Sequence, residues 1–418
     1  MATENNRLSL GRNAMYNSLG SLFYLVCQWL LTVLAVRMGS YEDGGMLSLA
    51  ISVNNFFFVV CTFSIRVYQV SDTRGRFSPG RYFSTRLLTC GLGLLLCGVF
   101  LLLNGQYNAA QRRCILFYML FKLSEAAVDT LAAEQQKAWR MDCTCRSFLM
   151  RGVASLAVFV GVMRLWHSLP LTLLLMAAVT MAIVLLYDVP VTLRLTPAKL
   201  ELSPRRCMPL LRAAWPMMVN SALMTLLATI PRYLLERFAG SEVLGIYGAI
   251  ATPAVIIQAG CSFVYSPLVA PLSEKYNAGD VRGFRRATAR ALMLILLLAL
   301  VVFAGGWLLG PWGLRLIFGE SIAPYTGLLQ PVLLSTLCLA LLYFFEVPLT
   351  IVRRLKVMTV IHLCAVAVVT VLSLLLIPTM GMDGVNLSII LAAGGDAVAM
   401  AAAAALLTRR PPEHVTPA

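Results

Sequence analysis

Residues 291–309 read ALMLILLLALVVFAGGWLL, a run without a charged side chain. A helix of about 20 apolar residues is long enough to span the hydrocarbon core of a lipid bilayer. The whole chain shares this character, because 59% of its 418 residues are hydrophobic and only 13% are charged. Soluble domains carry roughly 25% charged residues and could not cover so much apolar surface. We therefore predict an all-α polytopic membrane protein.

Apolar runs of similar length divide the chain into about twelve predicted transmembrane helices. Six precede a polar, proline-containing stretch and six follow it. We take 197–212 as a cytoplasmic linker between an N-terminal lobe, 1–196, and a C-terminal lobe, 213–418, which ends in a short cytoplasmic tail. The predicted spans are 13–36, 44–70, 83–103, 114–133, 147–163, 169–193, 213–236, 244–272, 287–309, 328–352, 357–377 and 384–407.

The basic residues are distributed unequally between the two sides of this predicted arrangement. Of the 34 Lys and Arg residues, 25 fall on one side, counting Arg86, Arg151 and Arg290 near the ends of their spans, and 6 on the other; the remaining three are Arg66, Lys122 and Arg232, within spans. Cytoplasmic loops are enriched in Lys and Arg, so the bias predicts that both termini are cytoplasmic. Loops at a membrane surface therefore explain the net charge of +15 better than nucleic-acid binding does.

Two turns 200 residues apart indicate an internal repeat. Residues 37–45 read RMGSYEDGG and residues 237–245 read RFAGSEVLG, with Arg, Glu and Gly identical between them at one offset. Such loop identities arise by chance less readily than similarities among apolar helices. The repeat predicts two six-helix lobes that run in the same direction, an arrangement found in transporters.

Ionisable side chains inside the predicted spans are candidates for a functional site, because they are costly in a bilayer and usually face a cavity or a partner. Lys122, Glu125 and Asp129 share one face of the fourth helix. They form either a structural salt bridge or the wall of a polar lumen. The other in-span ionisable residues are Arg66, Asp188, Arg232, Glu236, Glu346 and Asp396.

The second predicted span holds three candidate substrate contacts. Arg66 either extends towards the membrane surface or contacts a phosphate or sugar, for which its planar guanidinium is suited. Gln69 follows Arg66 in the same segment and is a candidate for the same substrate contact. Asn54 forms either an interhelical hydrogen bond or a sugar contact.

Arg232 directly follows Pro231 in the seventh predicted span. Proline removes a helical hydrogen bond and bends a helix. The pair is therefore either a hinge that bears a cation or an anchor in which Arg232 pairs with Glu236, four residues later.

Motifs for covalent or ATP-driven chemistry are absent from the sequence. It contains no GxxxxGK[ST] phosphate loop, no HExxH zinc motif and no GxSxG nucleophile elbow. It also contains no CxxC pair and only three His. We therefore predict neither an enzyme nor an ATP-driven pump, with no cofactor and no metal site.

Several segments together resemble the bacterial polysaccharide flippases of the multidrug/oligosaccharidyl-lipid/polysaccharide exporter superfamily. The resemblance extends over nearly the whole chain, although no single motif is diagnostic. The segments that carry it are 13–45, 64–72, 140–147 with Arg151, 230–236, 244–249 and 267–284.

This resemblance implies a transporter that moves undecaprenyl-pyrophosphate-linked oligosaccharide to the outer leaflet of a bacterial inner membrane. It also implies a V-shaped cationic cavity between the lobes, to which Arg66, Lys122 and Arg232 would contribute. The expected partners are the lipid-linked oligosaccharide, membrane lipids, polysaccharide-assembly proteins and a coupling ion, H⁺ or Na⁺. The candidates for carrying that ion are Glu125, Asp129, Glu346 and Asp396.

Two other functions compete with this one. A cation-coupled multidrug antiporter of the same superfamily would use a membrane-embedded acidic site without essential cations. A membrane glycosyltransferase or polymerase would need large outer loops with acidic or Arg/His clusters. The longest predicted outer loops, 104–113 and 310–327, are short, which disfavours the enzyme.

Overall fold

The structure is a computed structural model that describes residues 8–72, 75–254, 261, 269–352 and 354–407. These residues form helices joined by short turns, with no β-strand among them. Ten of the helices in this part of the chain are long and apolar enough to cross a bilayer. The predicted all-α polytopic membrane fold is thereby confirmed.

The first of two compact units spans Met1–Thr225. Two π-helical segments, Ala35–Gly39 and Val184–Asp188, continue α1 and join α7 to α8. The helices are α1 Leu10–Leu34, α2 Tyr41–Thr62, α3 Ile65–Ser71, α4 Pro79–Leu103, α5 Ala109–Lys137, α6 Met141–Trp166, α7 Leu169–Ile183 and α8 Val189–Leu195.

The second unit spans Leu226–Ala418, so that the boundary falls inside α9, Pro204–Ala251. Much of the eighth predicted span, within 255–268, lies outside the described residues, as does the tail after 407. The remaining elements are the 3-10 segments Thr252–Ala254 and Glu320–Leu328, α10 Val269–Asn277, α11 Val281–Phe318, α12 Leu329–Ile351, α13 Leu355–Met380 and α14 Met382–Leu407.

Two features explain why ten helices meet the apolar criterion where twelve spans are predicted. Helix α5 is as long as its neighbours, but Lys122, Glu125 and Asp129 interrupt its apolar sequence. Helix α9 joins the seventh span to the start of the eighth across a kink. That kink lies at Gly240, where φ is +86°, a value that glycine adopts without a steric cost.

The kink also has a counterpart in the other unit. The chain leaves helical geometry at Ser40, between the π segment and α2, which is the position that the repeat aligns with Gly240. Ser40 caps α2 by accepting a hydrogen bond from the Asp43 N–H at 3.1 Å. Pro231 itself lies within the helical part of α9, so the break occurs nine residues after the predicted hinge.

Large apolar side chains cover the outside of the helices. Leu102 and Leu186 are 82% and 80% exposed, and Trp307 is also exposed. The interior holds many hydroxyl-bearing residues, such as Ser124 and Thr130, both fully buried. An apolar exterior suits contact with acyl chains, and small polar residues allow helices to pack closely within a bilayer.

The segment between α8 and α9, part of the predicted linker, is packed against the start of α4. The Ser78 hydroxyl donates to Glu201, and an Arg81 guanidinium nitrogen lies 3.4 Å from the same carboxylate. These hydrogen bonds hold the pKa of Glu201 below its usual value. Only glycine fits at position 80, because a Cβ there would lie 1.8 Å from the carbonyl oxygen of Lys199.

Candidate functional site

The second transmembrane helix is broken between α2 and α3. Phe63 and Ser64 adopt left-handed φ angles of +47° and +51°, which are rare for residues other than glycine. Around this break the carbonyl oxygen of Cys61 accepts hydrogen bonds from Arg86 Nη1 at 2.6 Å and Thr89 Oγ1 at 2.7 Å. Two side chains of α4 therefore donate hydrogen bonds to a backbone carbonyl at the end of α2. In an apolar environment such a carbonyl needs a partner within the protein.

Arg86 is fully buried, and each of its three guanidinium nitrogens donates a hydrogen bond. Besides Cys61, its Nε donates to the Thr130 hydroxyl and its Nη2 lies 2.7 Å from Asp129 Oδ2. The other carboxylate oxygen of Asp129 lies 3.2 Å from Nη1 of Arg66. Two arginines from different helices thus share one carboxylate.

Arg66 is the accessible member of this group. Its side chain is 34% exposed and that of Asp129 is 22% exposed, whereas Arg86 is almost completely enclosed. Arg66 also donates from Nη2 to Gln136 Oε1 at 3.2 Å. The contacts of Arg66 with Asp129 and Gln136 are both 3.2 Å long. An anionic ligand that accepts shorter hydrogen bonds from both Nη atoms could replace them.

Acidic and basic side chains on the last turns of α5 extend the group. Glu134 lies 3.7 Å from Lys137 Nζ, and Gln69 donates from Nε2 to Glu134 at 2.9 Å and to the Thr130 carbonyl at 3.0 Å. We call Arg66, Arg86, Asp129, Glu134 and Lys137 the arginine cluster. It holds three cations and two carboxylates, and a third carboxylate, that of Asp72, interacts with Lys137.

Lys122 and Glu125 form a separate, neutral pair. Lys122 Nζ lies 2.6 Å from Glu125 Oε2, which is the salt bridge that the sequence offered as one alternative. The Tyr24 hydroxyl donates to the other oxygen of Glu125 at 2.7 Å, and Lys122 lies 4.9 Å from the centre of the Phe58 ring. Both charges are thus matched locally.

Asn54 connects two helices. It is fully buried, and its Nδ2 donates to the carbonyl oxygens of Ala50 at 2.8 Å and Ile115 at 2.9 Å. The interhelical hydrogen bond is therefore present between α2 and α5. A contact of Asn54 or Gln69 with substrate stays a prediction.

Sequence reasoning counts Arg86 and Arg151 with the basic residues of the cytoplasmic side, just inside the predicted spans 83–103 and 147–163, and the structure shows that both are enclosed. Helices α4 and α6 begin at Pro79 and Met141, earlier than the predicted spans, so both arginines lie about 10–15 Å inside their helices. Arg151 is fully buried and donates to Ser124 Oγ at 3.0 Å. Nothing in the sequence pattern marks either residue as enclosed.

In the second unit, Arg232 lies in α9 with its Nε buried and without a hydrogen-bond partner among the described residues. Glu236, one turn further along the same helix, accepts a hydrogen bond from Ser241 Oγ at 3.4 Å. The pairing of Arg232 with Glu236 stays a prediction.

The same unit brings Glu346 and Asp396 together through a residue that sequence reasoning missed. His362 Nδ1 lies 2.8 Å from Asp396 Oδ2, and its Nε2 lies 3.9 Å from Glu346 Oε1. We call these three residues the His362 triad. The available signal was that one of only three histidines in the chain falls inside an apolar span.

Comparisons with known proteins place this geometry in context. The model of a family described as polysaccharide biosynthesis protein matches residues 10–277. Capsular polysaccharide biosynthesis protein CapF from Staphylococcus aureus is 23% identical over 383 residues, which cover 91% of this chain and 96% of that protein.

Two solved transporters have a similar fold. Lipid II flippase MurJ, in an inward closed conformation, matches with a TM-score of 0.68 at 11% identity, over 93% of this chain and 87% of that chain. The MATE multidrug transporter DinF-BH matches with a TM-score of 0.68 at 14% identity, over 98% of this chain and 96% of that chain. At these identities the similarity shows that the fold is shared, and it says nothing about the substrate.

Proposed function

Because this chain belongs to the polysaccharide biosynthesis protein family, we propose that it carries an undecaprenyl-pyrophosphate-linked oligosaccharide from the inner to the outer leaflet of a bacterial inner membrane. It works by alternating access and makes no covalent change to its substrate. Both termini are cytoplasmic in this proposal, because 25 of the 34 basic residues fall on their side of the membrane.

The accessible guanidinium of Arg66 carries the proposal. A pyrophosphate crossing a low-dielectric region needs a cation close to it, because its charge is poorly solvated there. Arg66 offers a planar fork that can bind two phosphate oxygens at once. Its side chain is the more accessible of the cluster's two arginines, at 34% exposed.

Arg86 makes this exchange possible. If Arg66 turned from Asp129 to a phosphate, the carboxylate would still lie 2.7 Å from Arg86 Nη2. No unpaired carboxylate would be left behind, and leaving one would cost several kcal/mol. Arg66 is therefore the mobile cation and Arg86 the fixed one.

Arg232 is the candidate cation of the second unit. Its buried Nε has no hydrogen-bond partner among the described residues, so a ligand could supply one. Burying such a donor without a partner costs about 1–3 kcal/mol, which a bound phosphate or sugar oxygen would offset.

Deletion of the gene tests the proposal in cells. We expect lipid-linked oligosaccharide to accumulate on the cytoplasmic leaflet and surface polysaccharide to disappear, with both restored by the intact chain. The leaflet position is measured by accessibility of the glycan to a lectin in inverted and right-side-out membrane vesicles. Normal surface polysaccharide after deletion contradicts the proposal.

A multidrug antiporter is the second candidate, and the His362 triad supports it. Two carboxylates inside the second unit could bind a coupling ion without any help from the arginine cluster. In that case the deletion strain becomes sensitive to cationic drugs while its surface polysaccharide stays intact.

A further inference from the structure

We propose that the His362 triad is a proton-binding site, in which one proton held at Nε2 of His362 links Glu346 on α12 to Asp396 on α14. The link between this proton and transport rests on the proposed function. The binding of the proton is a property of the second unit alone.

The geometry on the two sides of the imidazole ring is unequal. On one side, Nδ1 is 2.8 Å from Asp396 Oδ2, and with Asp396 ionised Nδ1–H donates this hydrogen bond. On the other side, Nε2 is 3.9 Å from Glu346 Oε1, which is too far for a hydrogen bond. His362 and Asp396 are both fully enclosed.

The gap beside Nε2 lacks a proton donor. Nε2 of His362 and Oδ1 of Asp396 are buried and have no hydrogen-bond partner among the described residues. With Nδ1 carrying the hydrogen, Nε2 and the carboxylate of Glu346 are both acceptors and repel each other. One proton on Nε2 turns this contact into a charge-assisted hydrogen bond.

The charge of the triad also favours protonation of His362 at Nε2. With both carboxylates ionised and a neutral ring, three adjacent side chains would carry a charge of −2 within apolar surroundings. A protonated ring reduces this to −1 and places the imidazolium between two opposite charges. Next to the triad, Leu349, Met358, Met400 and Ala404 form a buried apolar cluster, which offers no counter-ion.

The groups that face the ring come from both helices most closely packed against α13. They are Asp396 from α14 and Glu346 from α12. Within the described residues, the charged side chains that act on Glu346 are in turn His362 and Asp396. The basic Arg354 and Lys356 at the start of α13 are exposed.

Glu346 is the point of entry for the proton. Its side chain is 23% exposed, whereas the other two members are enclosed. A proton taken up by its carboxylate passes to Nε2, and Asp396 keeps its hydrogen bond from Nδ1–H. Closing the gap from 3.9 Å to hydrogen-bond length needs a movement of about 1 Å by the Glu346 carboxylate.

Nitrogen NMR of labelled histidine tests the proposal directly. The variant His167→Asn/His414→Gln leaves His362 as the only histidine in the chain. Asn suits position 167, where φ is +46°. The full-length protein is labelled with ¹⁵N-histidine in lipid nanodiscs without any substrate, and the protonation of Nε2 is followed as a function of pH.

We expect a single protonation step at Nε2, with both ring nitrogens protonated at the acidic end. Glu346→Gln should lower the proton affinity of the ring by about tenfold or more, because one carboxylate about 4 Å away is lost. Glu320→Gln removes a largely exposed carboxylate of the same unit and should leave the affinity unchanged. A ring that stays neutral throughout, or an affinity that Glu346→Gln does not change, overturns the proposal.

The absence of substrate separates the two proposals. A protonation step at His362 in a protein that moves no lipid-linked oligosaccharide refutes only the proposed function. Conversely, transport by a protein whose His362 never binds a proton refutes only the proton site.

Discussion

Arg66→Ala is expected to stop export of lipid-linked oligosaccharide while the protein still inserts and folds. The substitution removes the accessible cation of the arginine cluster. Loss of a charge-paired contact with a buried anion costs about 2–5 kcal/mol, or roughly 30-fold to several thousand-fold in binding. Export is measured by surface polysaccharide in the deletion strain carrying each variant.

Two further variants separate charge from geometry and from surface effects. Arg66→Lys keeps the charge but loses the planar fork, so we expect export between that of the wild type and of Arg66→Ala. Arg76→Ala removes an exposed arginine of the following loop and should leave export unchanged. Full export by a well-expressed Arg66→Ala protein would remove Arg66 from the substrate site.

Arg86→Met is expected to destabilise the first unit more than any other single change in the arginine cluster. It leaves the carbonyl of Cys61 with one fewer donor, frees the hydroxyl of Thr130 and weakens the pairing of Asp129. Breaking a buried ion pair by removing one partner costs about 3–5 kcal/mol. Asp129 keeps Arg66 at 3.2 Å, so the free energy of unfolding in detergent micelles, measured with a denaturant series, should fall by a smaller amount, about 1–3 kcal/mol.

A double substitution identifies the cause of this loss. Arg86→Met combined with Asp129→Asn also removes the carboxylate that has lost its contact with Arg86, so part of the lost stability should return. Asp129→Asn alone should also destabilise, because it leaves Arg86 enclosed without its carboxylate. If the double variant is as unstable as the sum of the single ones, Arg86 and Asp129 do not stabilise the unit as a pair.

Much of the fold could be predicted from sequence, because a bilayer imposes a simple length rule on apolar helices. The spans at 83–103 and 147–163 were found, but their helices begin four and six residues earlier, at Pro79 and Met141. The extra turns contain polar and basic residues, and the length rule assigns those to loops. Arg86 and Arg151 fall only a few residues inside the predicted spans and are counted with the cytoplasmic side, although the longer helices enclose both.

The candidate site was only partly predictable. Arg66, Asp129, Glu346 and Asp396 were singled out because each is an ionisable residue in an apolar run. Their partners, Arg86 and His362, lie far away in the chain and depend on helix packing, which periodicity does not reveal. The break at Phe63 also has no sequence signal, because neither Phe63 nor Ser64 is a residue that favours left-handed backbone.

Transport by the purified protein tests the central claim most directly. The chain is reconstituted into liposomes that contain undecaprenyl-pyrophosphate-linked oligosaccharide, and movement between leaflets is followed by accessibility of the glycan to an added lectin. We predict rapid movement with the wild type, and movement close to that of protein-free liposomes with Arg66→Ala. Wild-type liposomes that move the lipid no faster than protein-free ones would contradict the claim.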